Sequence, residues 1–240
     1  TFVPVEGIIE GSRVIKDEDE IACFRAAGRL IASAIDPIIE LVRKGRKELD
    51  IASGIDSVLA WKGFEDRAFS TMVASGPNSA LPHARPSDRV VSDGDLVLLD
   101  FGGVYGGYCV DVSRTVCVGP VNEQSRRFYS AVLEAQERAI AEVAPGVVAS
   151  KVDDVARSTL EKQGFPEAFG HGTGHGLGLE IHEAPRIGRR GQPGCDVVLE
   201  AGMVFTVEPG LYVPGVGGVR IEDDVLVTEE GSEVLTRPEE

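Results

Sequence analysis

Four carboxylates and one histidine lie in segments that are otherwise apolar or rich in glycine. Their contexts read VLLDFGG, YCVDVSRT, GTGHGLG, FTVEPGL and VRIEDDV, and the residues are Asp100, Asp111, His175, Glu208 and Glu222. An ionised carboxylate buried without a partner is strongly unfavourable, and four that converge would repel one another unless cations lay between them. The sequence therefore predicts a site for two divalent metal ions.

The ligand types restrict both the metal and the reaction. Carboxylates with one imidazole form a hard, oxygen-rich set, which suits manganese, cobalt, zinc or iron better than copper. Because none of the five is a cysteine, a purely structural zinc site is disfavoured. Bridging carboxylates hold two ions roughly 3.5–4 Å apart, and a water between such ions has its pKa lowered toward about 7. The expected reaction class is hydrolysis of an amide or a phosphoester.

Each acid has a simpler interpretation when it is taken alone. Asp100 and Glu208 could belong to turns, since glycine or proline follows each of them closely. Asp111 could lie at a strand edge, and Glu222 could merely pair with Arg220. The metal interpretation is favoured because the same anomaly occurs in two separate glycine-rich hairpins.

The elements that must position these side chains occur twice along the chain. In each half, two helices precede strands that end in a glycine-rich hairpin, and the four predicted helices span 15–42, Glu48–Trp61, Asn122–Val143 and Ser150–Gln163. One hairpin carries two of the acids, and the other hairpin carries the remaining two. This order predicts an α+β fold with two pseudo-symmetric halves, an antiparallel sheet and flanking helices.

Composition limits the class of protein. The chain has 240 residues, of which 42% are hydrophobic, and we expect one large domain over residues 1–240. The net charge of −15 argues against a nucleic-acid partner, and no apolar run approaches the roughly 20 residues that a membrane-spanning helix needs. The four cysteines are scattered without a CxxC pair, which favours a reducing, cytoplasmic location.

Only four histidines are present, and three of them lie within 171–182. His171 and His175 are four residues apart, which on a helix would suggest a zinc pair, but the glycines between and around them favour extended backbone. His171 and His182 could act in turnover, or they could be hydrogen-bonded beside the site without such a role. His83 lies in the loop-like stretch SGPNSALPHARPSD, which by itself leaves its role open.

Four segments together carry a family resemblance: ASGPNSALPHARPSDRVV, LVLLDFGGVYGGYCVDVSRTV, HGTGHGLGLEIHEAP and VFTVEPGLYVPGVGGVRIEDDVLVT. They resemble the pita-bread metallopeptidases, and more narrowly the Xaa-Pro branch of proline aminopeptidases and prolidases. The resemblance covers essentially the whole chain from IKDEDEIACFRAAG onward. It implies the pita-bread fold, two divalent ions with manganese as the first choice, and short peptide substrates with proline at the second position. It also allows a homodimer.

Carried over residue by residue, the resemblance implies a role for each metal ligand. Asp100 would bind one ion, while Asp111 and Glu222 would bridge both ions. His175 and Glu208 would complete the shell of the other ion. All five ligand positions of the family are filled.

The resemblance also implies catalytic and substrate-binding residues. Glu208 would carry a proton to the leaving nitrogen. His83, His171 and His182 would orient the substrate and stabilise the oxyanion that forms during hydrolysis. Arg220 matches an arginine typical of the Xaa-Pro branch, and with His83 and His182 it would bind substrate.

Two departures from the family pattern affect the expected function. Xaa-Pro peptidases usually carry an extra N-terminal domain, and residues 1–16 resemble the linker after that domain, so the expectation is a single catalytic domain without it. Prolidases that cut only dipeptides use an additional arginine for the terminal carboxylate of the substrate. Arg186, Arg189 and Arg190 are all candidates, and dipeptidase and aminopeptidase both stay open.

Three alternatives share this fold. The nearest is a methionine-type aminopeptidase, which has the same metal ligands and a different side-chain pocket. A metal-free hydrolase of the creatinase type is disfavoured because all five ligands are intact. The alternative from another functional class is a non-catalytic protein that binds peptides.

Overall fold

A computed structural model of the chain describes residues 7–237. Its five α-helices are α1 (Ile8–Ser12), α2 (Glu18–Ile39), α3 (Glu48–Lys62), α4 (Glu123–Ala141) and α5 (Ala149–Lys162). The four predicted helices are confirmed. Asp17 and Glu20 form a capping box that starts α2, and the Asn122 side chain caps α4.

The second long helix of each half begins without a side-chain cap. At α3 the first two N–H groups donate to the carbonyl oxygens of Arg89 and Ser87. At α5 the corresponding groups donate to the carbonyl oxygens of Val197 and Cys195. An extended segment that passes the N-terminus of each helix therefore satisfies backbone donors that a helix leaves free.

All strands in the described part of the chain pair antiparallel. They are β1 (Asp66–Arg67), β2 (Met72–Ser75), β3 (Leu96–Tyr105), β4 (Tyr108–Cys117), β5 (Gly174–Gly176), β6 (Glu183–Ile187), β7 (Val204–Val207), β8 (Gly210–Val213), β9 (Gly217–Arg220), β10 (Asp223–Val227) and β11 (Ser232–Val234). In the first half β3 pairs with β1, β2 and β4, and in the second half the order is β11-β10-β7-β5-β6. Strands β8 and β9 form a separate two-stranded sheet. The expected α+β class with antiparallel sheet is confirmed.

The two halves repeat one another in backbone hydrogen bonds as well as in element order. The Gly45 N–H donates to the carbonyl of Val91 at 2.9 Å, and the Gly146 N–H donates to that of Leu199 at 2.8 Å. In each half these bonds tie the loop between the paired helices to the segment before the hairpin. The predicted pseudo-symmetry is therefore present in the backbone.

The second predicted hairpin is not one continuous ladder. It is divided into β7 paired with β10 and β8 paired with β9. Val207 lies opposite Asp223 in the first pair, and Gly210 lies opposite Arg220 in the second. The same register therefore runs through the gap between the two pairs.

Glu208 and Glu222 face each other within this gap. Their backbone N–H groups are used elsewhere: Glu208 donates to the carbonyl of Thr173 at 2.7 Å, and Glu222 donates to that of Ser113 at 3.1 Å. The ladder is interrupted because neighbouring strands take these two donors. Both predicted ligands thus lie where β5 and β4 meet the hairpin.

The first hairpin shows how the halves correspond. There Asp100 lies directly opposite Ser113. When Asp100 is matched to Glu208, the registers of the two hairpins match Ser113 to Glu222 and Asp111 to Arg220. The backbone repeats, but the charges on it do not.

Strand alternation separates the core from the site. Leu99 and Phe101 are fully buried in the cluster beneath α2 and α3, so Asp100 between them points to the opposite face of β3. Val207 belongs to the second cluster, beneath α4 and α5, and directly precedes Glu208. Each half therefore packs its helices on one face of its sheet and presents acids on the other.

The segment expected to be linker-like is partly described. Residues 1–6 lie outside the described range, and the remainder contains α1 and a single β-bridge between Ile15 and Met203. Within residues 7–237, no helix combines the length and the apolar character needed to cross a lipid bilayer.

Glu48, in the first turn of α3, is a buried acid that the sequence did not single out. Its fully buried carboxylate accepts hydrogen bonds from Ser75 N at 2.7 Å, from Ser87 Oγ at 2.6 Å and from Asn78 Nδ2 at 3.1 Å. One side chain thus ties α3 to β2 and to the loop that precedes β3.

Replacing Glu48 by alanine should lower the free energy of unfolding by about 3 kcal/mol, because several buried donors would lose their acceptor. Urea denaturation of the two proteins would measure this change. Asp50→Ala, an exposed acid in the same helical turn, is the matched control, and an equal loss in both variants would contradict the assignment.

Candidate metal centre

The first hairpin supplies two of the acids. Asp100 lies on β3, and Asp111 lies on β4 between Val110 and Val112, both of which are fully buried in the core. Strand alternation therefore turns Asp111 away from the core, as it does Asp100. Asp100 retains partial access to the cavity, whereas Asp111 is buried.

The second half supplies the other three predicted ligands. His175 lies in the extended strand β5, which confirms that the glycine-rich run is not helical. A Cβ at Gly174 would lie 1.8 Å from the carbonyl oxygen of Thr206, so only glycine allows β5 to approach β7 this closely. The Thr206 hydroxyl also accepts the His175 N–H at 3.1 Å. This close approach brings His175 beside Glu208.

The structure brings the five predicted ligands together. Asp111, His175 and Glu222 each offer one ligand atom, and these atoms all lie within 4.8 Å of one another. His175 Nε2 is 3.7 Å from Asp111 Oδ2 and 3.8 Å from Glu208 Oε1. Asp100 joins the group through Arg220, whose Nη2 donates to Asp100 Oδ2 at 2.5 Å.

The acids are incompletely satisfied by protein groups. Asp100 Oδ1 and Asp111 Oδ1 are buried without a hydrogen-bond partner among the described residues. Burial raises the pKa of Asp111, and the neighbouring Glu222 and Asp100 raise it further. Burial also raises the pKa of Glu222, with added repulsion from Glu208 and Asp100. Unpartnered oxygens and mutual repulsion are what a bound cation would relieve, so these residues fit a metal site.

The histidine in the cluster has the state that a metal ligand needs. Burial lowers the pKa of His175 to about 4, so the imidazole is neutral near pH 7. Its Nδ1 contacts the carbonyl of Gly176 at 3.2 Å, and a hydrogen on that nitrogen leaves the Nε2 lone pair facing the carboxylates. A lone pair that faces acid oxygens is favourable only with a cation between them.

Arg220 organises the acids rather than standing apart from them. It is buried, and its Nε donates to Ser113 Oγ at 2.8 Å, while Ser113 Oγ donates to Glu222 Oε2 at 2.6 Å. Its Nη1 donates to Tyr212 OH at 2.9 Å. Arg220 thus orients Asp100 directly and Glu222 through Ser113, and the contact with substrate that the resemblance implies stays a prediction.

The three remaining histidines line the same cavity. His171 Nε2 lies 2.8 Å from Tyr212 OH, and burial lowers the pKa of His171 to about 4. The ring of His182 packs edge-on against that of His175, with centroids 4.3 Å apart. His83 is exposed on the opposite rim. Their predicted roles in turnover stay predictions.

The cavity has a volume of about 1020 Å³ and holds all five predicted ligands. Of the three candidate arginines, Arg186 lines it, whereas Arg189 and Arg190 are absent from its lining. Arg190 lies 3.6 Å from Asp154 instead. Geometry therefore separates three arginines that sequence spacing could not.

Sequence reasoning missed an ion pair that supports the site from α5. Arg157 pairs with the fully buried Asp153, and it also donates to the carbonyl oxygens of Phe169 and His171. Asp153 in turn accepts the Thr173 hydroxyl at 2.7 Å. The available signal was the spacing of four residues between an acid and an arginine on a predicted helix.

Charge neutralisation at the cluster should stabilise the protein when metal is removed. Burial and repulsion raise the pKa of Asp111, so the folded state resists an ionisation that the unfolded chain undergoes freely. The resulting cost is absent below the ordinary aspartate pKa and grows as the pH rises above it. In chelator, Asp111→Asn should therefore melt higher than wild type at pH 7.5, on the order of 3 °C, which corresponds to ~1 kcal/mol in a domain of this size.

Calorimetry with and without Mn²⁺ would measure both effects. Wild type should gain thermal stability from Mn²⁺, and Asp111→Asn should gain much less. The exposed Asp36→Asn is the control. A chelated Asp111→Asn protein that melts below wild type at pH 7.5 would contradict the repulsion argument.

Comparisons with known proteins agree with this chemistry. The model of metallopeptidase family M24 matches residues 22–229. The chain is 42% identical over 238 residues to a Xaa-Pro dipeptidase of Pyrococcus horikoshii, a match that covers 99% of this chain and 67% of that protein. It therefore spans about two thirds of the length of that relative.

Solved structures give the same result. The prolidase from Pyrococcus furiosus matches with a TM-score of 0.94 at 42% identity, covering 100% of this chain and 70% of that one. The X-Pro aminopeptidase from Thermotoga maritima matches with a TM-score of 0.93 at 40% identity, covering 100% of this chain and 67% of that one. The resemblance to the Xaa-Pro branch and the pita-bread fold are confirmed. This chain belongs to metallopeptidase family M24.

Proposed function

We propose that the protein removes the N-terminal residue from short peptides with proline at the second position, using two divalent cations with manganese as the first choice. The observation that carries this proposal is the cluster of Asp111, His175 and Glu222 in an open cavity, with unpartnered oxygens on Asp100 and Asp111. Relatives named Xaa-Pro dipeptidase and X-Pro aminopeptidase support the substrate class.

The five clustered residues would hold the cations. When bound, such ions polarise a substrate carbonyl and make hydroxide available near neutral pH. Asp100 is already oriented by Arg220, and Glu222 is oriented by Ser113, so the protein holds two of the acids in place. Preorganised ligands reduce the rearrangement that binding requires.

Glu208 is the acid best placed to move a proton. Within residues 7–237 its carboxylate accepts no hydrogen bond, because the neutral His175 imidazole and the Arg220 guanidinium lie beyond hydrogen-bond distance, at 3.8 Å and 3.9 Å. Its side chain also keeps some access to the cavity. A carboxylate free of fixed donors can accept a proton from the attacking water and deliver it to the leaving nitrogen.

The histidines of the cavity would orient the scissile amide. His171 is held by Tyr212 and by the support from Arg157. His182 is held against His175. A neutral imidazole can donate one hydrogen bond to an oxyanion that forms on the carbonyl.

The chemistry of proline suits such a site. An Xaa-Pro bond is a tertiary amide without an N–H and with restricted dihedral angles. A protease that holds the scissile bond through this N–H has no donor to bind. Recognition through the carbonyl and the free α-amine does not need that donor.

Arg186 would bind the terminal carboxylate of a dipeptide. It is the one candidate arginine among Arg186, Arg189 and Arg190 that lines the cavity. It lies on β6, directly opposite His175 of β5 in the antiparallel pair, so the backbone places it beside a predicted metal ligand. A guanidinium matches a carboxylate with two parallel hydrogen bonds.

The function is tested on the chelated protein resupplied with one metal at a time. Cleavage of Ala-Pro and Ala-Pro-Ala should return, fastest with Mn²⁺, and should exceed cleavage of Met-Ala-Ser. Faster cleavage of Met-Ala-Ser would instead indicate a methionine-type aminopeptidase. Metal-loaded protein that binds these peptides and cleaves none of them would indicate a non-catalytic peptide-binding protein.

Glu208→Gln should keep the fold and lower kcat by about a hundredfold or more, because general acid–base groups contribute at least that much. Stopped assays at saturating peptide, with metal content checked for each sample, would measure the loss. The exposed Glu200→Gln is the control, and wild-type turnover in metal-replete Glu208→Gln would refute the proton-transfer role.

Arg186→Ala should raise KM for Ala-Pro about tenfold, because a hydrogen bond to a charged group contributes roughly 1.5–3 kcal/mol. The kcat of this variant should change little. Arg189→Ala, an exposed arginine of the same loop, should leave KM unchanged. Equal KM values for the two variants would argue against carboxylate recognition by Arg186.

A further inference from the structure

One side of the substrate cavity is built by residues far from the metal ligands in sequence. Glu10 on α1 and Arg13, just after that helix, line the cavity together with Glu180, His182 and Glu183. Helix α1 packs on β6, the strand that begins at Glu183. This side, which we call the α1 wall, is formed by Glu10 and Arg13.

An ion pair between Arg13 and Glu183 attaches the α1 wall to β6. The Arg13 guanidinium donates from Nη2 to Glu183 Oε1 and lies 4.0 Å from Glu180 Oε2. The Glu183 carboxylate is almost fully buried, with 7% of the side chain exposed. It also accepts the Glu180 N–H at 3.0 Å. The Arg13 side chain keeps 23% of its surface exposed, so water partly screens the pair.

The backbone of Gly178 lies directly against the carboxylate of this pair. A Cβ at Gly178 would lie 2.3 Å from the Glu183 carboxylate, so the acid rests directly on the backbone there. The carbonyl of Gly178 accepts the Cys109 N–H at 2.8 Å. The attachment point therefore belongs to the same rigid strands that carry the metal ligands.

The chain on the far side of Arg13 is fixed as well. The Lys16 N–H donates to the carbonyl of Gly202 at 2.9 Å, and the Lys16 side chain is buried. Arg13 therefore lies between α1 and an anchored segment. With Glu183 holding its guanidinium, α1 has little freedom to move away from the cavity.

The volume of the cavity does not by itself limit peptide length. About 1020 Å³ lies at the upper end of the roughly 300–1,000 Å³ that ligand pockets commonly have, and it exceeds what a dipeptide fills. A limit on length must come from the position of a wall. Helix α1 contacts β6, the strand that carries Arg186, so a peptide that extends past Arg186 would meet the α1 wall.

We propose that the Arg13–Glu183 ion pair fixes the α1 wall across the path of longer peptides and so determines how strongly the enzyme prefers dipeptides. This inference rests on the proposed function. Arg13 and Glu183 are specificity-determining residues here, and neither belongs to the metal-binding or proton-transfer groups.

The test compares kcat/KM for Ala-Pro and Ala-Pro-Ala in Mn²⁺-loaded protein. In Arg13→Ala the kcat/KM for Ala-Pro-Ala, divided by the kcat/KM for Ala-Pro, should rise about fivefold or more. Dipeptide kcat should stay near wild type. Arg13→Lys, which keeps the charge, should restore a ratio close to that of wild type.

Two further variants separate this role from general loosening. Arg25→Ala breaks the Arg25–Glu233 ion pair, which is bidentate and far from the cavity lining, and should leave the ratio unchanged. The double variant Arg13→Ala/Glu183→Gln should match Arg13→Ala alone, because residues that act as one pair are not additive. Melting temperatures would show that each variant is folded.

An unchanged ratio in folded Arg13→Ala would overturn the inference while leaving the proposed function intact. An equal fall in kcat/KM for both peptides would also overturn it, because the pair would then act only by positioning His182. Wild-type protein that cleaves neither peptide with any metal would instead reject the proposed function, and this inference with it.

Discussion

Repulsion among the acids of the metal centre is the constraint on which this structure depends, because the buried Asp111 and Glu222 converge with the partly exposed Asp100 and Glu208. The chain answers only part of that repulsion with its own groups. Arg220 neutralises one side of the cluster, and the Ser113 hydroxyl satisfies one oxygen of Glu222. The remaining unpartnered oxygens define the place and the charge of what must bind there.

The rest of the fold can be understood as the support for that convergence. Two helix pairs bury one face of each sheet and leave the opposite faces to meet. Where they meet, the second hairpin gives up its own ladder at Glu208 and Glu222 and donates both amides to neighbouring strands. The loss of two ladder hydrogen bonds is offset, because each of these amides donates to another carbonyl oxygen. The backbone hydrogen bonds that interrupt the ladder therefore also position the two predicted ligands.

Local patterns predicted much of this and missed what depends on contacts between the halves. Helical periodicity located α2 to α5, and apolar residues on both sides of Asp100 marked it as an anomaly. The gap in the second hairpin was not predictable, because it depends on Ser113 of β4 and on Thr173, which directly precedes β5. Glu48 was missed for a similar reason, since its partners lie on segments that only folding brings near. Sequence spacing describes one element at a time.

The unequal charges on the repeated backbone have one more consequence. When Asp100 is matched to Glu208, Asp111 takes the position of Arg220, so an anion in one half corresponds to a cation in the other. A perfectly symmetric cleft would accept a chain molecule in either sense, N to C or C to N. The charges of this cleft are unequal, so they would favour one direction for a short zwitterion, whose two ends differ in sign. The difference in charge between the two halves would therefore allow this fold to recognise the end of a peptide rather than its middle.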